Sequence, residues 1–342
     1  MAYALFRLPF ADRYTLLRQT SGQAEELASP VELSGREGFV VAPFSTSGDV
    51  PLLLIRADER KEFDFSGTDQ HFSTIKSEAQ ESSLFTTYAI DFANFHSHLQ
   101  SGEFQKLVLS RSVSEPMTTE ESPRDLFLRA CSLYPRMFIS LVSTERGGTW
   151  LTASPEILLD GEGDRWQTMA LAGTMRYTDN PTWNDKNREE QQLVATYITE
   201  TLERFTDDFA EEGPYSTRAA DLVHLRSDFR FHLADTSRIG ELIAALHPTP
   251  AVCGLPKQRA FQFILHNESS PRRYYSGFMG PLFPRSGTTH LYVSLRCMEI
   301  GASACRLYAG GGILPDSVME QEWQETEMKL ETMRQCLAIE KT

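Results

Sequence analysis

Cysteine is scarce in this chain and badly arranged for cross-linking. The 342 residues hold five, Cys131, Cys253, Cys297, Cys305 and Cys336, an odd number without a C-x-x-C pair. That excludes a disulfide framework and a thiolate zinc site, and it points to reduced thiols in a cytoplasmic protein. Long apolar runs are missing too. The stretch at residues 50–55 falls far short of the roughly 20 that span a bilayer. Arg7, Pro9, Asp12 and Arg13 interrupt the N-terminus before a secretory core of about 7 to 15 apolar residues can accumulate. Neither a membrane segment nor a signal peptide is expected. Basic charge is in deficit, with 33 Lys and Arg against 47 Asp and Glu for a net charge of −14. No Lys/Arg run is available to neutralise successive phosphates, so a nucleic-acid partner is excluded. An anionic small molecule is still allowed where positive charge gathers locally. Repeats, low-complexity segments and linkers are also absent, while 41% hydrophobic and 23% charged residues are enough for a real core. One intertwined α+β domain over residues 1–342 is expected.

Residues 1–95 read as short strands plus a helix at 88–99. Beyond them, the apolar runs at 107–109, 137–142, 149–153 and 157–159, bounded by Gly, Pro or Asp, predict antiparallel strands. Leu193, Val194, Tyr197 and Ile198 recur at helical spacing and predict a helix over 185–205. Residues 222–246 read as a less regular helix that His247-Pro248-Thr249-Pro250 must end. Pro256 suits the first turn of a helix over 257–266. Strands are predicted at 274–283, 290–300 and 305–309, with residues 301–304 as a hairpin turn. Asp316 or Ser317 caps a final helix carrying Val318, Met319, Trp323, Leu330 and Leu337.

Chemistry concentrates near that last helix. Glu322, Glu325 and Lys329 share one face, which on spacing alone describes a salt-bridged surface. Gly310-Gly311-Gly312 lies just upstream, where consecutive glycines allow backbone N–H groups to meet an anion, although a tight turn explains them about as well. A second acidic segment, 185–190, opens another helix. Carboxylates from two such helices can hold a hard cation such as Mg2+ if the helices meet. Arg296 lies in an apolar strand, where an unpaired charge is costly, so an anionic partner is expected. Three patterns are discounted: S-x-x-K at 73–76, which lacks companion motifs; the His96/His98 pair, which lacks a third ligand; and a glycosylation sequon at 267–269.

Several motifs in one order carry a resemblance over about residues 95–335. They are Lys106-Leu107-Val108-Leu109-Ser110-Arg111, Ser154-Pro155-Glu156, Leu171-Ala172-Gly173-Thr174, His247-Pro248-Thr249-Pro250-Ala251, Tyr275-Ser276-Gly277, and Gly310 through Glu322-Trp323-Gln324-Glu325-Thr326. The chain resembles the chorismate-utilising enzymes and, among them, the isochorismate synthases. The resemblance implies a single α+β unit of large antiparallel sheets with flanking helices, with residues 1–94 part of the same fold. Water-using members of the family carry a lysine at the position of Lys106, whereas ammonia-using members typically carry glutamine. Ala251, where the latter commonly have threonine, and Leu171 to Thr174, without their nucleophilic lysine, agree with the water-using class. No glutamine amidotransferase subunit is therefore expected.

By the same resemblance Lys106 is the general base and Glu156 the general acid. Glu190 and Glu325 are direct Mg2+ ligands, and Glu322 is a water-mediated one. Gly173, Thr174, His224, Ala251, Tyr275, Arg296, Gly310, Gly311, Gly312 and Lys329 line the substrate site. The implied reaction is reversible conversion of chorismate to isochorismate, serving menaquinone or siderophore synthesis. A salicylate synthase, which goes on to eliminate pyruvate, is the alternative, and an inactive chorismate-binding paralogue is a more distant one. Two departures stand out: Gln191 replaces a histidine and Asn187 an acid, which bears on Mg2+ affinity.

Overall fold

A computed structural model of the chain describes residues 2–65, 72–73, 81–117, 121–178, 180–337 and 339–340. Two large antiparallel sheets dominate them. In the first, the spatial order is β15 (Gly254–Leu255), β8 (Lys106–Pro116), β19 (Ala304–Ile313), β18 (Cys297–Ile300), β10 (Gly148–Ser154), β9 (Phe138–Thr144), β1 (Ala2–Arg7), β2 (Arg13–Gln19) and β6 (Glu59–Asp64). In the second it is β13 (Phe209–Ala219), β14 (Leu222–His232), β12 (Arg165–Arg176), β11 (Ile157–Glu162), β17 (Thr288–Val293), β16 (Phe278–Leu282), β4 (Gly38–Ala42), β5 (Leu52–Ile55) and β3 (Glu25–Leu27). The short β7 (Phe72–Ser73) and β20 (Ile339–Glu340) pair separately. The helices are α1 (Glu81–Gln100), α2 (Pro123–Leu133), α3 (Asp185–Leu202), α4 (Ile239–Leu246), α5 (Lys257–Asn267) and α6 (Met319–Leu337). None of the described helices is long and apolar enough to cross a membrane.

The short apolar runs become strands buried on both faces. Along β5, Leu53 and Ile55 enter the core between the sheets while Leu52 and Leu54 face the outer layer, as the two-residue period requires. Helices α3 and α4 cover the outside of the second sheet through Val194, Ile198, Leu242 and Leu246. Helices α2 and α6 cover the outside of the first through Leu126, Ala130, Leu330 and Met333. Ser122 starts α2 with a capping box to Asp125 and Pro123 in the first turn, a start signal absent from the expectations above.

Three expectations need correction, and one of the two readings left open for the glycine triplet falls away. Residues 222–232 are not helical but form β14, in which Val223, Leu225, Ser227, Phe229 and Phe231 are all buried at a period of two; only 239–246 is helix. The expected strand at 274–283 is confined to β16, because Arg273 and Ser276 turn with φ of 51° and 61°. Residues 290–300 are two strands in different sheets, broken where Arg296 adopts a φ of 41°. The glycine triplet is not a turn: it lies within β19, paired with residues 108–110 of β8. The long strands β12 and β13 were not anticipated. Residues 74–76 of the discounted S-x-x-K pattern lie outside the described residues.

The chain passes between the sheets twice in adjacent places. It runs from β10 to β11 through Pro155-Glu156, and from β17 back to β18 through Ser294-Leu295-Arg296. The two crossings are tied together, since the Val293 N–H donates to the Glu156 carbonyl at 3.0 Å and the Ala153 N–H to the Arg296 carbonyl at 3.0 Å. A buried clamp braces the edge beside them. The Arg272 guanidinium donates to Glu268 and to the carbonyls of Val252 and Val108, and Glu268 accepts the Ser110 N–H. Arg272→Met leaves Glu268 buried without its cation and is expected to cost about 3–5 kcal/mol. The check is the denaturant midpoint, which falls while the slope holds if this clamp is structural.

Candidate active site

The crossings put Glu156 and Arg296 side by side against one cleft. Also facing it are Gly173, Thr174, His224, Ala251, Tyr275, Gly310, Gly312, Glu190 and Lys329, from both sheets and both outer helix layers. The left-handed backbone at Arg296 is a strained conformation for a residue with a side chain, and such strain gathers at functional sites. Its guanidinium lies 2.8 Å from His224 Nε2. His224 faces Thr174 across the β12–β14 pair, beside a β-bulge at Gly173. Its Nδ1 is 2.9 Å from the Gly173 carbonyl, so Nδ1–H donates there and Nε2 accepts from Arg296. Burial, then the charges of Arg296 and Lys329, hold the imidazole well below its usual range and hence neutral.

Glu156 is 2% exposed, and burial pushes its carboxyl from 4.5 up to about 7 despite nearby Arg296 and Lys106. The Thr249 hydroxyl lies 3.5 Å from Glu156 Oε1. Thr249 sits within the H-P-T-P motif but went unassigned above. Lys106, at the start of β8, is fully buried, and its ammonium contacts Glu190 Oε1 of α3 at 3.0 Å without an aligned hydrogen bond. Burial pushes Glu190 up, but Lys106, then Lys186 and Lys329, outweigh it and hold the carboxyl below its ordinary range.

On α6, Lys329 Nζ donates to Glu325 Oε1 at 2.7 Å and to the Gly310 carbonyl at 2.8 Å. The i,i+4 bridge expected of a surface face is present, but it faces inward. Glu322 is 1% exposed and pairs with Lys186 of α3. Burial, then the adjacent Glu325 charge, push Glu322 up to about 7 in spite of Lys186. Lys186 was missed by the sequence reading, although it precedes Glu190 by four residues on the same helix face.

The glycines of β19 explain how two helices approach one strand. A Cβ at Gly312 would lie 2.0 Å from Glu190 Oε1 and 2.9 Å from Lys106 Cε; one at Gly310 would lie 2.7 Å from the Tyr275 hydroxyl; one at Gly311 would touch Glu325 and Glu322 at 3.4 and 3.5 Å. The missing side chains make the space in which Glu190 reaches Gly312 and Glu322 and Glu325 reach Gly311. Carboxylate oxygens are the donor type that a hard divalent cation such as Mg2+ takes. As they stand, each acid is paired with a lysine, and among the described residues no three potential ligands form a ready metal cluster. The departures from the family pattern also find places. Gln191 donates to Ser227 in the buried layer, and Asn187 packs beneath Gly173.

The family model described as chorismate binding enzyme matches residues 52–338. The chain belongs to the chorismate-binding enzymes. Isochorismate synthase EntC of Escherichia coli is 32% identical over 242 residues, covering 68% of this chain and 62% of that protein. Isochorismate synthase DhbC of Bacillus subtilis is 29% identical over 367 residues, covering 97% of this chain and 89% of that protein. The fold matches that of the menaquinone-specific isochorismate synthase MenF of Escherichia coli with a TM-score of 0.78 and 23% identity, over 98% of this chain and 89% of that one.

The Glu156 environment has a measurable consequence. Between pH 4.5 and about 7 the folded protein keeps a proton there that the unfolded chain has released. Stability from this group is therefore greatest below pH 4.5, declines up to about pH 7 and is level above it. Glu156→Gln removes the titration, so its stability relative to wild type is expected to rise by roughly 3 kcal/mol from acid to mildly alkaline pH. Denaturant unfolding of both proteins across that range gives the difference, and a constant offset would contradict the buried, proton-holding carboxyl.

Proposed function

We propose that this protein is an isochorismate synthase, interconverting chorismate and isochorismate. The observation that carries this reading is a fully buried lysine at position 106, in contact with the cleft-lining Glu190 and close enough to act electrostatically on Glu156, a cleft-lining carboxyl that burial holds near 7. The named relatives that are isochorismate synthases support it.

Chorismate carries two carboxylates, and the cleft offers cations to match. Arg296 and Lys329 supply charge, with Tyr275 and Thr174 as hydroxyl partners on either side. Neutral His224 fixes the Arg296 guanidinium and is not a competing cation. Glu190 and Glu325 would hold Mg2+ directly and Glu322 through water, supplying positive charge for the ring carboxylate. Lys106, once deprotonated and freed from Glu190, takes a proton from the water that adds to ring C2. Glu156 gives its proton to the C4 hydroxyl as the C4–O bond breaks and the double bond shifts. One hydroxyl enters and one leaves, so the step is a reversible isomerisation. Carboxyls near 7 suit general acids at neutral pH.

Water as the nucleophile removes any need for an ammonia-delivering partner subunit. The same reading treats residues 1–342 as one functional domain, supported by the N-terminal strands β1–β6 lying in both sheets. It places the protein in the reducing cytoplasm, supported by five buried free cysteines.

Incubation with chorismate and Mg2+, followed by chromatographic resolution of products, tests the reading. Isochorismate is expected, whereas salicylate with pyruvate would reassign the final product. Lys106→Gln keeps a polar side chain and removes the proton acceptor, so kcat should fall by about 10² to 10⁴ with KM nearly unchanged. Wild-type turnover in that variant would defeat the mechanism.

A further inference from the structure

Lys186 stands where local energetics disfavour a cation. It is the second residue of α3, in the first turn, where the helix dipole repels positive charge. It also precedes Glu190 by four positions, the weaker order for an acid–base pair along a helix. Its anion partner is instead Glu322, 136 positions away on α6, with side chains 19% and 2% exposed. The other two acids of the cradle have their own ammonium groups, Lys106 on Glu190 and Lys329 on Glu325. Those two lysines have other work: Lys106 is the assigned base, and Lys329 also binds the Gly310 carbonyl. Lys186 has no such second partner among the described contacts, and it does not line the substrate cleft.

We propose that Lys186 is a tethered counter-cation that holds Glu322 in the metal's stead and must yield it when Mg2+ enters, so that the chain limits its own metal affinity. This rests on the assignment of Mg2+ to Glu190 and Glu325. The placement of the ammonium agrees. It is held on Glu322, with Glu190 one helical turn along its own helix and Glu325 one turn along the helix of its partner. One lysine therefore stands at the junction of the helices that carry all three carboxylates assigned to the metal. Without a cation, the buried Glu322 would have no ion-pair partner among the described residues. A resident ammonium supplies that partner in the metal-free protein, and its positive charge opposes a second cation at the same place.

The experiment is calorimetric titration of Mg2+ into chorismate-free wild type, Lys186→Gln and Glu325→Gln. Removing a neighbouring unit charge should tighten Mg2+ binding in Lys186→Gln by about tenfold or more, while Glu325→Gln should lose it. Unchanged or weaker binding by Lys186→Gln, with binding lost in Glu325→Gln, overturns the counter-cation role and leaves the metal assignment standing. Binding that is absent from wild type, or indifferent to Glu325→Gln, overturns the metal assignment and this inference with it. Because Lys186→Gln leaves a buried carboxylate unpaired, the comparison is repeated between Glu322→Gln and Lys186→Gln/Glu322→Gln, which carry no such group. Tighter binding by the double variant supports the proposal, and equal binding overturns it.

Discussion

Everything at this site depends on keeping a dense group of charges out of water. Lys106, Lys186, Arg296 and Lys329 face Glu156, Glu190, Glu322 and Glu325 where solvent scarcely reaches. No single charge could be held there alone, because desolvation would neutralise it. Burial acts on all of the acids but is resolved differently by their neighbours. Glu190, within reach of three ammonium groups, stays ionised, whereas Glu156 and Glu322 are pushed to about 7. With His224 neutral, Arg296 and Lys329 are the cations that line the cleft. Inside a chain of net charge −14, this is a local setting for a dianion.

The paired crossings between sheets convert that charge balance into geometry. An acid and a guanidinium on separate loops would wander relative to each other. Here Glu156 and Arg296 lie on adjacent antiparallel crossings joined by backbone hydrogen bonds, so each fixes the other's position. The left-handed turn at Arg296 redirects the chain from the second sheet to the first. Gly173 plays a comparable part on β12, where its bulge offers the carbonyl that fixes the tautomer of His224.

The helices complete the cleft because β19 gives way to them. Three successive residues without side chains let Glu190 approach from α3 and Glu322 and Glu325 from α6, against a strand whose other edge is paired to the one that starts at Lys106. The apolar faces of α3 and α6 pack on opposite outer layers, so the two helices meet only through their polar ends. Lysines fill the resulting gaps in charge, and Lys186 spans from one helix to the other.

Local pattern was enough for α3, α5 and α6, whose periodicity or flanking prolines appear within a few residues, and the ordered motifs from Lys106 to Glu325 were enough to indicate the family. The inward face of Glu322, Glu325 and Lys329 was legible only as a spacing, because a salt-bridged surface and a buried site obey the same i,i+3 and i,i+4 rules. Tertiary structure decided the rest. Residues 222–232 mix helical and strand signals, and pairing with β12 and β13 selected the strand. Residues 290–300 read as one apolar run because a change of sheet leaves no mark on hydropathy when both sheets are buried. The glycine triplet could be read as an anion-binding loop or a turn, because its purpose, space for carboxylates from two helices, includes a contact between Gly312 and Glu190 more than a hundred positions apart. For the same reason Lys186 was invisible: its partner is chosen by the meeting of α3 and α6, and nothing within a helical turn of it announces Glu322.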